Sequence, residues 1–466
     1  MSDQVHQPDL RENKMGVMPV GKLLFNMALP IVIAMLVQAL YNVVDSIFVS
    51  EISESAVTAL GLAFPLQNLL IGFAVGIGVG VNSMMSKALG EKDQKMVDRV
   101  AGNGIFLSLI ATLLFVLFGI FGTEAFFQFQ SESAETIQNG VDYTSIICIG
   151  SLGIFVEVLG ERLLQASGRT GYTLITQGTG AVLNIILDPL FIKGFEPLGI
   201  PAMGISGAAI ATIIGQWVAA ILAVIFNFKC NPDVHFSLGA IRPRGKVIGP
   251  ILSIGIPSII MNSIGSVMTL SMNKILQGLD PSETAAGVFG IYFKLQSFFF
   301  MPLFGINNAS ISILAYNYGA RKPKRIIDTL KVSAGSMLTV MILGLSAFHL
   351  LPDLLLGLFH PTDAFLHMGR SALRIIALSF PLAAISISLI ASFQALGSGI
   401  YSTINSICRQ LLVLIPAAYL LSLSGNVNAV WWAFPIAEVV SVAVTLLLFL
   451  RIFRKKIRPL QPILSE

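Results

Sequence analysis

The chain has 466 residues, 55% of them hydrophobic and only 12% charged, with a net charge of +4 at neutral pH. Soluble domains carry about 25% charged residues, so this composition excludes a string of ordinary soluble domains. Cys148, Cys230 and Cys408 lie in or beside apolar stretches without paired spacing, which argues against a disulfide framework or a metal site.

Residues 1–24 are polar, with Arg11, Lys14 and Lys22, and read as a cytoplasmic segment rather than a cleavable signal. Apolar runs then recur to the end of the chain, each near the roughly 20 residues that cross about 30 Å of hydrocarbon as a helix. Twelve fit: about 25–48, 59–82, 100–121, 138–160, 171–192, 204–226, 247–272, 285–310, 330–350, 371–393, 401–422 and 429–450. The predicted fold is all-α, a polytopic membrane protein with twelve transmembrane helices. Residues 25–228 hold the first six, 229–246 form a short basic loop, 247–453 hold the second six, and 454–466 are a tail.

Polar groups inside these runs are the candidate functional residues, because charge within hydrocarbon is costly. The first run carries Gln38, Asn42 and Asp45 at helical spacing on one face. Gly72, Gly76 and Gly80 in the second have the small-xxx-small spacing of close helix packing. Glu157, Glu161 and Arg162, at the inner end of the fourth, read as a snorkelling interfacial cluster. The fifth carries Gln177, Asn184 and Asp188 along one face, and the sixth carries Thr212 and Gln216 one turn apart. At 1.5 Å per residue, Asp45, Asp188 and Thr212 reach similar depths in the outer half of the first lobe. Two carboxylates, an amide oxygen and a hydroxyl are hard ligands for a small cation, or a set able to share a proton. Asp188 precedes Pro189, so a bend-capping role is the alternative reading. In the eighth run an aromatic-rich segment containing Phe293, Phe298 and Met301 either lines a greasy chamber or faces lipid and neighbouring helices. Arg409 lies within the eleventh run. Glu438, in the twelfth, is the one acid well inside a second-half span; it reads as a second proton site or as a hydrogen-bonded structural acid.

The two halves repeat each other. An offset of 229 aligns Leu66-Gln67 with Leu295-Gln296, Gly76 with Gly305, Ser83 with Ser312, Gly90 with Gly319, and Gln165-Ala166 with Gln394-Ala395. Leu29-Pro30 matches Ile256-Pro257 at 227. Six spans per repeat give both halves one orientation, so two pseudo-symmetric lobes face each other across an axis along the membrane normal. Opposite Asp45, Asn184 and Asp188 the second half places Met272, Val413 and Ala417, so the lobes share architecture but not chemistry.

With the amino terminus on the cytoplasmic side, 23 of the 29 Lys and Arg fall in inner segments such as Lys87–Arg99 and Arg321–Lys331. Five fall outside: Lys193, Lys274, Lys294, Arg370 and Arg374. This asymmetry predicts a multi-pass protein of the plasma membrane with both termini cytoplasmic. Each basic run sits between spans, which disfavours nucleic acid as a partner. There is no GxxxxGK[ST], HExxH or GxSxG motif. The expectation is therefore no enzyme and no ATP hydrolysis.

The twelve spans, Asp45, the Asn184-x-x-x-Asp188 pair, and the matched loops beginning at Ser86 and Tyr316 together resemble the multidrug and toxic compound extrusion (MATE) family, in its bacterial branch. The resemblance covers about residues 20–455. It implies a secondary active exporter of cationic and amphipathic organic compounds, exchanging them for H⁺ or Na⁺ by alternating access of two lobes. It also implies that Asp45, Asn184 and Asp188 form the ion-coupling site, with Thr212 matching on the sixth helix. Gln38, Asn42, Gln177, Gln216, Phe293, Phe298 and Met301 are the candidate cavity residues read from the sequence itself. No cofactor beyond the coupling cation is expected, and the partners are small organic substrates and the bilayer, with the chain a monomer. A lipid-linked oligosaccharide flippase of the same superfamily is the nearest alternative. Such carriers tend to line their cavity with basic residues, whereas here almost every Lys and Arg is at a cytoplasmic end. A non-transporting receptor or scaffold gives no reason for paired acids in one lobe.

Asp45→Asn is expected to abolish efflux while leaving the protein folded, because it removes an ionisable group and keeps its volume. Normal drug resistance in cells expressing the variant at wild-type levels would refute this.

Overall fold

Apolar segments in hydrocarbon must satisfy their backbone hydrogen bonds internally, and a helix does this within one segment. A computed structural model describes residues 13–50, 52–195, 197, 199–280, 284–359 and 362–460, with the side chains of 42–47, 50, 54 and 238 outside that description. Among the described residues the chain is helical, with one isolated bridge, Phe195 to Ile200, and no strand. The first lobe comprises α1 (Val20–Ser50), α2 (Glu54–Gly90), α3 (Gln94–Phe121), α4 (Ala134–Ile149 continued by Leu152–Ala166), α5 (Gly171–Ile192) and α6 (Gly204–Cys230). The second comprises α7 (Gly245–Leu279), α8 (Thr284–Gly319), α9 (Pro323–Leu350), α10 (Asp363–Ala377 continued by Phe380–Ala395), α11 (Gly399–Ser422) and α12 (Val427–Ile457). Ten of these are single helices long and apolar enough to cross a membrane. Counting the bent pairs α4 and α10 as one span each gives twelve.

Two features go beyond the sequence reading. The bends, 46° in α4 and 44° in α10, fall at Gly150-Ser151 and Leu378-Ser379, within one residue of equivalent positions in the repeat. At the first, the missing side chain of Gly150 admits Ile213, whose Cδ1 would lie 2.3 Å from a Cβ there. Secondly, α2, α7 and α8 have 37, 35 and 36 residues, so each extends to roughly 50–55 Å and projects well beyond the hydrocarbon. Hydropathy registers only the apolar middle of such helices.

The cores show how the lobes join. Leu23, Leu24, Met27, Ala28 and Ile31, in the first half of α1, are buried in the second-lobe core with Ile306, Ala309, Ile313, Met337 and Met341. Val49, near the end of α1, belongs to the first-lobe core. The reverse holds for α7: Val247 and Ile251 join the first-lobe core, and Met268, Met272 and Leu276 join the second. Each lobe thus lends half of its first helix to the other. Pro30 and Pro257, matched in the repeat, sit within the two crossing helices. Each removes one intrahelical hydrogen bond.

Glycines let the backbones meet along this seam. A Cβ on Gly76 would lie 2.8 Å from Gly255 O, and one on Gly80 would lie 2.3 Å from Ile251 O. A Cβ on Gly90 would lie 2.0 Å from Tyr316 O, and one on Gly319 would lie 2.1 Å from Lys87 O. Lys87 and Tyr316 are themselves repeat partners, so the last two are one contact seen from either lobe. Ser83 Oγ donates to Gln394 O at 2.8 Å, and its partner Ser312 donates to Asn82 Oδ1 at 2.9 Å. All of these lie towards the end of the bundle that carries the basic loops. Towards the other end, Gly61 and Gly265 would have nothing within 4 Å of an added Cβ. The linker is held to the first lobe as well, through Asn103, which donates to Ala240 O and accepts from Arg244 N.

Adding a methyl at Gly90 or Gly319 should therefore open the seam, at an overpacking cost of about 1–3 kcal/mol. Thermal unfolding in detergent is expected to show Gly90→Ala and Gly319→Ala less stable than the parent, and Gly61→Ala equal to it or better. Equal midpoints for all three would contradict the seam as described.

Candidate functional site

The polar cluster of the first lobe is built on a close helix crossing. A Cβ on Gly215 of α6 would lie 2.8 Å from Gly180 O of α5, so the two backbones touch there. One turn further along α5, Asn184 Nδ2 donates to Asp188 Oδ1 and to Thr212 Oγ1 of α6, both at 3.3 Å. Asp188 is fully buried and Asn184 is 3% exposed. The amide nitrogen is committed to these two oxygens, which leaves Asn184 Oδ1 buried without a hydrogen-bond partner among the described residues. Such an oxygen is purely an acceptor, complementary to a proton donor or a cation.

Helix α1 packs against α5, and Lys193 Nζ lies 5.7 Å from the centre of the Phe48 ring. The register therefore puts Asp45, three residues before Phe48, near the depth of Asp188, five residues before Lys193. The side chains of Asp45 and Asn42 lie outside the described residues. Gln38 and Gln216 are half-buried, Gln216 one turn beyond Thr212 on α6.

Gln177 does not join this cluster. Its Nε2 donates to Glu161 Oε2 at 2.8 Å, and Thr176 Oγ1 donates to Glu161 Oε1 at 2.7 Å. Next to it, Arg162 Nη1 donates to Gln165 Oε1 at 2.9 Å. Glu161 is 2% exposed and Arg162 8%, so the snorkelling reading of these two residues is corrected. The turn after α4, with Gly168 at φ +78°, folds α5 back against it and supplies the hydroxyl and amide that satisfy the acid. Position at the end of an apolar run suggested the interface. The partners, 15 and 16 residues further on, become visible only once the two helices pair.

In the second lobe, Met272 is fully buried in the apolar core, and the positions matching Asn184 and Asp188 are apolar too. The lobe nevertheless contains an ion pair that the sequence reading did not assemble: Arg409 Nη1 lies 2.6 Å from Glu438 Oε1. The signal was two opposite charges in adjacent spans, where an unpaired charge is costly. Arg409 lies on a π-helical stretch of α11, Ile407–Leu414, a widening often found at functional positions. The other oxygen of Glu438 is buried with no partner among the described residues. An aromatic group fills the interior of this lobe, with Phe289 against Phe293, Trp431 and Phe434, and Tyr292 against Phe434. Phe293 is half-buried within it. Met301 is half-buried, and Phe298, 53% exposed, stands outside the group.

Glu438 is buried, and Arg409 keeps 27% of its side chain exposed. Removing Arg409 therefore strands a buried carboxylate, at a cost that approaches the roughly 3–5 kcal/mol of a fully buried pair. Removing Glu438 costs less, and replacing both with apolar residues is often neutral. Arg409→Met and Glu438→Leu are each expected to lower the thermal midpoint, and the two combined should recover most of the loss. Strictly additive losses in the double variant would show that the two charges do not act as a pair.

The MatE family model matches the chain twice, at residues 30–190 and 257–420, one match in each half of the repeat. The multidrug export protein MepA of Staphylococcus aureus is 25% identical over 421 residues, covering 90% of this chain and 91% of its own length. MepA of Staphylococcus saprophyticus is 25% identical over 430 residues, covering 92% and 93%. Among solved structures, an outward-facing multidrug resistance MATE family transporter superposes with a TM-score of 0.89 at 24% identity, covering 97% of this chain and 98% of that one. A MOP superfamily transporter from Pyrococcus furiosus gives 0.88 at 24% identity, with the same coverage. The doubled family match over most of both repeats, on a bundle of two six-span lobes, places this chain in the MatE family of multidrug efflux transporters.

Proposed function

We propose that this chain is a secondary active exporter of cationic and amphipathic organic compounds, driven by antiport of H⁺ or Na⁺ and working as a monomer in the plasma membrane. The reading is carried by the buried first-lobe cluster, in which Asn184 Oδ1 has no donor among the described residues and sits beside a carboxylate within a membrane span. Asp45, Asn184, Asp188 and Thr212 take the coupling cation. The apolar positions opposite them in the second lobe support coupling in the first lobe, with Glu438 the one acid in the second-half spans that could take a second proton. The names of the MepA relatives support organic, drug-like substrates. The distribution of Lys and Arg supports a cytoplasmic basic end with both termini on that side.

Two carboxylates in low dielectric resist simultaneous ionisation unless a proton or metal cation lies between them. Arrival of the cation draws α1, α5 and α6 together around it and changes the wall that the first lobe presents to the cleft. Substrate is released on the outer side, the lobes rock about the crossing helices, and the cation leaves to the cytoplasm. The glycine seam is the closed position of the cytoplasmic end in this cycle.

Dye efflux from proteoliposomes, with Na⁺ and pH gradients imposed separately, tests the reading. One gradient should drive efflux at least tenfold above leak, and Asp188→Asn should return it to leak while the protein still elutes as a monodisperse monomer. No efflux under either gradient would refute transport by this mechanism.

A further inference from the structure

The residues ahead of α1 form a short helix, Lys14–Val17, followed by extended Met18 and by Pro19. Their backbone carbonyls are held by three second-lobe side chains on either side of Gly319. Arg325 Nη2 donates to Met15 O at 3.0 Å and to Met18 O at 2.7 Å, Asn317 Nδ2 donates to Met15 O at 3.1 Å, and Lys322 Nζ donates to Gly16 O at 3.1 Å. Arg325 Nε also donates to Asn317 Oδ1, which fixes the amide. The Met15 side chain is completely buried in the second-lobe core. The same segment touches the first lobe. Asn13 Nδ2 donates to Ser167 O at 3.3 Å, and the turn at Gly168 packs so closely that an added Cβ would meet Lys14 Cε at 3.0 Å and Met15 Cγ at 3.5 Å.

We propose that Asn13–Met18 is a strap that latches the two lobes together at the basic end, with Arg325 as its positioning residue and Asn13 as its clip to the first lobe. The inference rests on the alternating-access reading and adds a residue set to it. Opening the basic end separates Lys87–Glu91 from Tyr316–Ala320. The inner half of α1 is buried in the second-lobe core, so the strap travels with that lobe. The bond to Ser167 and the contact at Gly168 are then what opening must break. Arg325 keeps the strap in place for them to re-form, since its two charge-assisted bonds are stronger than neutral ones. The strap therefore biases the lobes towards the state closed at the basic end.

The test is the distance between nitroxide labels at Lys95 and Lys324, exposed repeat partners on the two basic loops, in chain with Cys148, Cys230 and Cys408 replaced by alanine. The labelled parent should give mainly the short distance. Asn13→Ala is expected to raise the ratio of separated to closed populations about fivefold, the scale of one neutral hydrogen bond lost. Arg325→Ala unseats the strap and with it that same bond, so it should raise the ratio by a similar factor, with Arg325→Lys between parent and alanine. Unchanged distance distributions in both alanine variants would overturn the proposal. So would a fall in thermal midpoint without any change in distribution, since that is a purely structural role. Dye efflux by the unlabelled parent is measured in parallel. Its absence would contradict the transport reading, whereas the distance ratio alone decides whether the strap latches.

Discussion

The exchange of half-helices between the lobes is the constraint on which the architecture depends. The first half of α1 is buried in the second-lobe core, and the first half of α7 in the first-lobe core. Neither lobe can turn as a rigid block without these helices bending or sliding. Both carry a proline within the helix, Pro30 and Pro257, where one backbone hydrogen bond is already missing and bending costs less. The glycines at 76, 80, 90, 255 and 319 let the crossing helices approach to backbone contact. Around that contact Val79, Ile254, Ile311 and Leu314 form one buried cluster, so the seam joins backbone contact to apolar packing from both lobes.

Against this symmetric frame the polar chemistry is asymmetric. The first lobe holds a buried amide and carboxylate in contact with a half-buried hydroxyl, with one acceptor unpaired among the described residues. The second lobe holds an Arg409–Glu438 pair that neutralises itself. By the repeat offset, Arg409 occupies the position of Gly180, the residue that lets α5 and α6 touch. A glycine contact in one lobe is thus replaced by a long charged side chain in the other, and α11 accommodates it with a π-helical stretch. The duplicated fold supplies two equivalent scaffolds, and substitutions at matched positions give them different polar interiors.

Much of this was legible in the sequence, and the reasons differ by feature. Hydropathy located every span because the bilayer imposes length and composition directly. The constant offset exposed the repeat because close backbone contacts hold glycine and serine at fixed positions in both halves. The neighbours Asn184, Asp188 and Thr212 were accessible because two lie on one helix face and the third at matching depth on the next helix. Contacts between elements distant in sequence were not accessible: the Arg409–Glu438 pair, the burial of Glu161 by Thr176 and Gln177, and the exchange of α1 and α7. The grouping of Gln177 with Asn184 failed for a related reason. Residues seven apart share a face, but the face meets a different helix at each level.

The central claim is that cation and substrate compete through the first-lobe carboxylates, and linkage makes that competition reciprocal. Titration of a fluorescent organic cation against the purified protein at several Na⁺ and H⁺ concentrations tests it most directly. The account predicts that substrate affinity falls as one of the two cations rises, and that this dependence disappears in Asp188→Asn. Affinity in the wild-type protein that is indifferent to both cations would contradict it.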